Sequence, residues 1–315
     1  MNISALRQKI KPWMLPIAMI IGILFHEYIH YIAFLSRYLI FIMLLITYCR
    51  VKISDFHTGP YIWWLLGCQI LGALAAYLVI RPFCEDLAQG IFICIFCPTA
   101  TAAPVITGML GGSVSKVATY SLFSHVAVAL LAPPMLSYME PESGITFAGS
   151  LISVSVSVLP LILGPLALAF VMQRFTPKTH SAIATHQGLS FYIWAFALII
   201  VVGNSVSFIM EQPAEKIPEI IMLGAGSLLV CLLLFAVGRK IGGRFGDKIS
   251  GAQSLGQKNT VLAIWLALSF LNPVVSAAPA AYVAWHNTVN SYQIYRHERI
   301  SRHQRICRHE RGKKS

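Results

Sequence analysis

The chain has 315 residues, 57% of them hydrophobic and 11% charged, with a formal net charge of +12 and a mean hydropathy of +0.69. A typical soluble domain carries roughly 25% charged residues, so this composition excludes a soluble globular enzyme and predicts a polytopic membrane protein built as one embedded domain. Much of the positive charge lies from Arg296 onward and is read as a solvated tail beside anionic membrane lipid, with no nucleic acid as partner.

Residues 1–25, MNISALRQKIKPWMLPIAMIIGILF, have the basic start and apolar run of a signal peptide. No small-x-small cleavage site precedes His26, so they are read as a retained first helix. HEYIH, from His26 to His30, comes next. Two histidines four apart on a helix share one face and can reach one zinc while the glutamate between them activates water. A catalytic zinc also needs a third protein ligand and a wet cavity. The aspartates are Asp55, Asp86 and Asp247, all expected in loops or at helix ends. An interfacial His/Tyr turn without bound metal is therefore expected, with an intramembrane zinc metalloprotease as an alternative. The seven cysteines are scattered, which predicts no disulfide or zinc framework.

About ten apolar helices can be drawn, near 13–25, 31–49, 61–82, 87–110, 115–138, 147–173, 183–209, 218–238, 251–271 and 273–295. Alternate loops then separate by charge. Arg7, Lys9, Lys11, Arg50, Lys52, Lys116, Arg174, Lys178, Arg239, Lys240, Arg244, Lys248 and the tail fall on one side. Glu27, Glu85, Asp86, Glu140, Glu142, Glu211, Glu215 and Glu219 fall on the other, with Arg81 and Lys216 as exceptions. Cationic loops stay cytoplasmic, so both termini are expected inside a multi-pass inner (plasma) membrane protein.

The fourth span contains CPTATAAPVITGMLGG, in which Pro98 and Pro104 interrupt an apolar run. Each proline removes a backbone donor and clashes with the carbonyl four residues earlier. At membrane depth such freed carbonyls must be met by protein, water, ions or substrate. The ninth span places Gln253, Gln257, Lys258 and Asn259 around Gly256, polar groups that should face an interior cavity. Spans 4 and 9 are equivalent if spans 1–5 and 6–10 are two halves, and an odd span number per half forces inverted topology. The expected fold is thus an all-α membrane protein of about ten transmembrane helices in two inverted repeats of five, about 13–138 and 147–295, with discontinuous helices 4 and 9 crossing. Residues 1–295 form the transporter domain. Residues 296–315, repeating as RHERIS, RHQRIC and RHERGK, form the basic cytoplasmic tail.

At these residues the chain resembles the bile acid:sodium symporter (BASS) family. The family's C-P-G-G-T-A-S-N-V run is similar to CPTATAAPV at 97–105, and its later L-L-x-P to LLAPP at 130–134. Its E-x-G-x-Q-N-S-G-L-A is similar to SLGQKNTVLA at 254–263, and its P-G-A-L-F-S-V-W-H-N to PAAYVAWHN at 279–287. The third span's glutamine finds a counterpart in Gln69. The resemblance implies panel helices 1, 2, 6 and 7, core helices 3–5 and 8–10, alternating access, and an organic anion carried with sodium.

This chain departs from the family at its ion-binding positions. The family's Ser-Asn pair falls on Ala103 and Pro104, its span-5 serine and threonine on Val117 and Ser121, and its span-9 glutamate and glutamine on Ser254 and Lys258. The resemblance implies ion-site positions at Gln69, Ser121, Ser254, Gln257 and Lys258, with the carboxylate lost and an ammonium gained. Sodium favours several oxygens, so Lys258 is expected to occupy the vacated space, donating to groups that would have held an ion. Burial would also let it lose a proton, so proton coupling is a second option; a lysine snorkelling to the interface is the structural alternative. Lys116 is read as interfacial, His125 as a core histidine and His286 as a packing residue.

An anionic substrate would meet Thr99, Thr101, Pro104, Asn259 and Lys258 at the ends of the broken spans, with Asn204 and Gln187 in span 7 as further candidates. The function expected is secondary active transport of a small organic anion, bile-acid-like, pantoate-like or keto-acid-like, by a monomer without cofactor. The other alternative is a non-transporting sensor on the same fold.

Overall fold

The computed structural model describes residues 14–49, 59–100, 102–139, 147–185, 187–211 and 213–312. Among the described residues the chain is helical, with no strand beyond one isolated bridge between Thr99 and Lys258. Helix α1 (Met14–Leu24) leads into a single turn, α2 (His26–Ile29), and a 3-10 turn (His30–Ile32), followed by α3 (Leu35–Cys49). Next come α4 (Pro60–Ile80), α5 (Glu85–Phe96), α6 (Ala103–Met109) and α7 (Val114–Met139). The second half comprises α8 (Phe147–Phe175), α9 (Pro177–Thr185), α10 (Gln187–Met210), α11 (Ile217–Arg244), α12 (Lys248–Gly256), α13 (Thr260–Phe270) and α14 (Ala277–Gly312).

Among the described residues, four segments are individually long and apolar enough to cross a membrane: Pro60–Ile80, Val114–Met139, Val154–Phe175 and Ala214–Arg244. The pair His26–Ile32 and Leu35–Ile46, bent by 72°, makes up to five if it is one span. Exposed large apolar side chains, among them Leu71, Leu78, Ile152, Val156, Leu229 and Leu233, are what lipid-facing helices present. The chain is a multi-pass membrane protein.

Boundaries differ from the sequence reading where charge misleads. Helix α11 runs to Arg244 rather than stopping near 238, because Arg239, Lys240 and Arg244 are good helix formers that can leave the bilayer without ending the helix. Helix α14 likewise continues to Gly312, through most of the segment read as a tail. A separate short helix, α9, fills what was drawn as the connection between spans 6 and 7.

Helices α11 and α12 pack most closely. Gly238 and Gly242, four apart on α11, face Gly251 on α12; a Cβ on Gly251 would lie 2.7 Å from Gly242 Cα and closer still to the Gly238 carbonyl. Small residues at this spacing let two backbones approach, the usual device of helix contacts in membranes. Asp247 caps α12 by accepting from Ser250 N at 2.9 Å, and its other oxygen accepts from Ser113 N at 3.1 Å. Burial alone would raise its pKa, but the hydrogen bonds from Ser250 and Ser113 outweigh that and hold it low. The loop before α12 is thereby tied to the start of α7.

At the opposite end Asp86 accepts from Asn272 Nδ2 at 3.2 and 3.1 Å and lies 3.7 Å from Lys216 Nζ, which also pairs with Glu219 at 2.6 Å. Burial and the neighbouring Glu219 carboxylate push Asp86 up to about 6, partly offset by Lys216 and Asn272. The folded protein therefore keeps a proton that the unfolded chain releases near pH ~4. This group's contribution to stability is full below that pH, falls as pH rises towards about 6, and is flat above. Melting temperatures measured from about pH 4.5 to about pH 7.5 should fall more steeply for the parent than for Asp86→Asn; parallel curves would show that Asp86 does not carry the slope.

Candidate functional site

The chain breaks two helices beside each other. Helix α5 ends at Phe96 because Pro98 cannot donate and forces Cys97 out of the helical region, to φ −54° and ψ 146°. Pro104 sits in the first turn of α6, where a missing N–H costs nothing. The second break lies between Gly256 and Thr260. There Asn259 starts α13 by accepting from Leu262 N at 3.2 Å through Oδ1.

The two breaks satisfy much of one another's backbone. Ala100 N donates to Gln257 O at 3.1 Å and Asn259 N to Pro98 O at 2.8 Å. Thr99 Oγ1 donates to Ser254 O at 2.6 Å, so this hydroxyl serves the crossing itself. What remains is the carbonyl end of α5, which carries the negative pole of its dipole.

Two side chains meet that end. Lys258, 2% exposed, donates from Nζ to Ile95 O at 2.6 Å and Cys97 O at 3.0 Å. Gln69 on α4 donates from Nε2 to Phe96 O at 2.5 Å and Cys97 O at 3.2 Å. Its Oε1 in turn accepts from Tyr120 OH at 2.5 Å and Ser124 Oγ at 2.8 Å on α7. The ammonium thus lies inside the protein and not at an interface. It neutralises the helix end and pins α13 to α5, two things a bound cation would otherwise do.

The other sequence candidates lie at varying distances from this point. Ser254 is buried with its hydroxyl 3.1 Å from Tyr61 OH. Gln257 donates to Gln253, which donates on to Asn290 at 3.3 Å and Gln293 at 3.0 Å of α14, a polar chain leading from the crossing. Ser121 is buried on α7 with its hydroxyl 3.4 Å from His125 Nδ1, and no hydrogen bond among the described residues joins it to Lys258. Pro104 is buried in α6, and Asn204 is half-buried on α10 beside Ser205, whose hydroxyl pairs with Ser276 at 2.8 Å. Gln187 begins α10. Thr101 lies outside the described residues.

Among the described residues, two donors at the start of α13 have no protein partner. Asn259 Nδ2 and Thr260 Oγ1 are both buried, their residues 4% and 1% exposed. Buried polar groups left unpaired cost about 1–3 kcal/mol each, and here they share a helix N-terminus, where backbone N–H groups favour an anion. Thr260 is absent from the sequence candidates. The signal available was its position directly after an asparagine in capping position, in a segment read only as apolar.

HEYIH takes a different form. The α-helix covers His26–Ile29 and a 3-10 turn begins at His30. Ser207 Oγ donates to His26 O at 2.6 Å and lies 3.3 Å from its Nδ1, while His30 Nδ1 lies 2.8 Å from Glu27 O. Among the described residues no three His, Cys, Asp or Glu side chains come together as a metal site. Purified protein is expected to carry no stoichiometric zinc by elemental analysis; one equivalent of zinc, lost in both His26→Ala and His30→Ala, would restore the protease reading.

No family model matches this chain. It is 22% identical over 208 residues to a protein of Bacillus subtilis (strain 168) described as the uncharacterized sodium-dependent transporter YocS. The similarity covers 65% of this chain and 63% of that protein, so the chain spans less than two thirds of that relative's length. The likeness is distant, and it is to a transporter.

Proposed function

We propose that this protein is a secondary transporter of a small organic anion, and that Lys258 stands where relatives would bind a coupling cation. The observation that supports it most is the pair of buried, unpartnered donors, Asn259 Nδ2 and Thr260 Oγ1, at the start of α13. Beside them Lys258 supplies positive charge at a crossing of two broken helices.

In this reading the ten crossings are α1, α3 with its bent prelude, α4, α5 with α6, α7, α8, α10, α11, α12 with α13, and α14. They form two inverted halves with both termini in the cytoplasm. A carboxylate reaching the crossing pairs with the Asn259 amide and the Thr260 hydroxyl at the start of α13. The bundle that carries the crossing then moves against α1, α3, α8 and α10 to expose the anion on the other side, as a member of the BASS family would.

Sodium fits this chain poorly as co-substrate at that point. The carbonyls of Ile95 and Cys97 accept from an ammonium, and Gln69 is committed at both ends. A fixed Lys258 gives uptake independent of sodium, whereas one that gives up its proton in each cycle makes uptake follow a pH gradient.

The test is uptake of labelled organic anions, among them a bile acid, pantoate and a keto acid, by reconstituted protein in sodium, in potassium and across a pH gradient. Uptake unaffected by replacing sodium with potassium, and lowered at least tenfold by Asn259→Ala, is the expected result. Absence of uptake for the whole panel, with binding retained, would favour a sensor. Strict sodium dependence would overturn the role given to Lys258.

A further inference from the structure

A groove of about 780 Å³ opens between α11 and α14, away from the break residues, with Leu110 and Ile249 also in its lining. The two helices run in the same direction: Lys216 and Asn272, at their starts, share Asp86, and Arg239 and Arg296, towards their other ends, share the groove. Each wall repeats one pattern. Leu232 precedes Arg239 by seven residues on α11, and Val289 precedes Arg296 by seven on α14. Seven residues are almost two full turns, so each pair shares a face, with the cation about 10 Å along the axis from the apolar residue.

Each wall of the groove is therefore apolar at one level and cationic about two turns further along. His297 and Gln293 add polar edges, and no Asp or Glu is among the described residues that line it. Both arginines are exposed. Neither has an ion pair among the described residues. Leu232 is 49% exposed and continues into Leu229 and Leu233, at 69% and 58%, so the floor opens sideways onto the surface that faces lipid. A small soluble anion would satisfy the arginines and leave that floor wetted.

We propose that this groove binds an anionic phospholipid, its phosphodiester bridging Arg239 and Arg296 and one acyl chain lying over Leu232 and Val289. Basic pockets between membrane helices at a cationic membrane face are suited to such headgroups. The site is separate from the anion site at α13. It would hold α14 against α11, and α14 carries the residues to which Gln253 donates, Asn290 and Gln293. Lipid in the groove would thus steady the polar chain that leads to the crossing.

The test uses the purified full chain in detergent, titrated with phosphatidylglycerol, phosphatidylcholine or glycerol 3-phosphate, and reads melting temperature and bound lipid by native mass spectrometry. Phosphatidylglycerol should raise the melting temperature and be retained, and the other two should not. The double variant Arg239→Gln/Arg296→Gln should lose at least tenfold in affinity for it while keeping every basic residue from Arg299 onward, which separates the groove from general attraction to the rest of the tail. Leu232→Trp, which fills the floor and leaves both arginines, should also weaken retention. Equal effects of the two phospholipids, or undiminished retention by both variants, would overturn the proposal. Equal protection by glycerol 3-phosphate would make it a soluble-anion site instead. None of these readouts depends on uptake, so they stand apart from the transport test.

Discussion

Lys258→Met is expected to destabilise the protein and to make its stability respond to sodium. The methionine keeps an apolar stem of similar length but removes the ammonium. Ile95 O then loses its side-chain donor, and Cys97 O keeps only Gln69. A buried group left unpaired costs about 1–3 kcal/mol, and hydrogen bonds from a charged donor sit at the upper end of the measured range. The loss is specific to the crossing, because Thr99, Ala100 and Asn259 still join the two breaks through their own bonds.

The space left by the ammonium is bordered by carbonyl oxygens, the ligand type that alkali cations use. Sodium in large excess over its dissociation constant should then stabilise the variant by mass action, about 2.7 kcal/mol at one hundred times that constant. Potassium at equal ionic strength should do less, and the parent should respond to neither. A parent whose melting temperature itself rises with sodium would place an ion beside Lys258 and sink the substitution argument. A Lys258→Met protein as stable as the parent and blind to sodium would reduce the lysine to a packing residue.

The parts of this arrangement that could be read from the sequence are those where the backbone itself is constrained. Pro98, Pro104 and Gly256 mark interruptions whatever surrounds them, since a missing donor or a missing Cβ acts locally. The breaks follow Phe96 and Gly256, within the segments singled out for them. Side-chain partners are another matter. Thr99 is a donor in the sequence reading, but only the folded chain places Ser254 O 2.6 Å from its hydroxyl. Thr260 looked like one more residue of an apolar helix, and its isolation becomes visible only once every neighbour is in place. Charged residues misplaced helix ends for a physical reason: Arg and Lys mark where the bilayer stops and have no power to stop a helix.

Gly251→Val should be the most damaging single change outside the crossing. Its Cβ would overlap the Gly238 carbonyl and lie 2.7 Å from Gly242 Cα, and neither is a flexible side chain that could turn away. Overpacking costs typically 1–3 kcal/mol where side chains can adjust, and about 3 kcal/mol or more is expected here because two helices must part. The displacement carries further than the interface. Helix α12 holds Gln253 and Ser254 and leads directly into Gln257 and Lys258, so moving it outward draws the ammonium off Ile95 O and Cys97 O. Gly224→Ala on the same α11 is the control. Its Cβ would meet only Ala281 Cβ at 3.8 Å, an ordinary contact, and alanine is the better helix former. Thermal unfolding should therefore separate the two variants clearly, with Gly224→Ala at or above the parent. Gly251→Ala tests the finer step: if it folds, it should show the same gain of sodium response as Lys258→Met, because both variants loosen the contact of Lys258 with Ile95 O and Cys97 O.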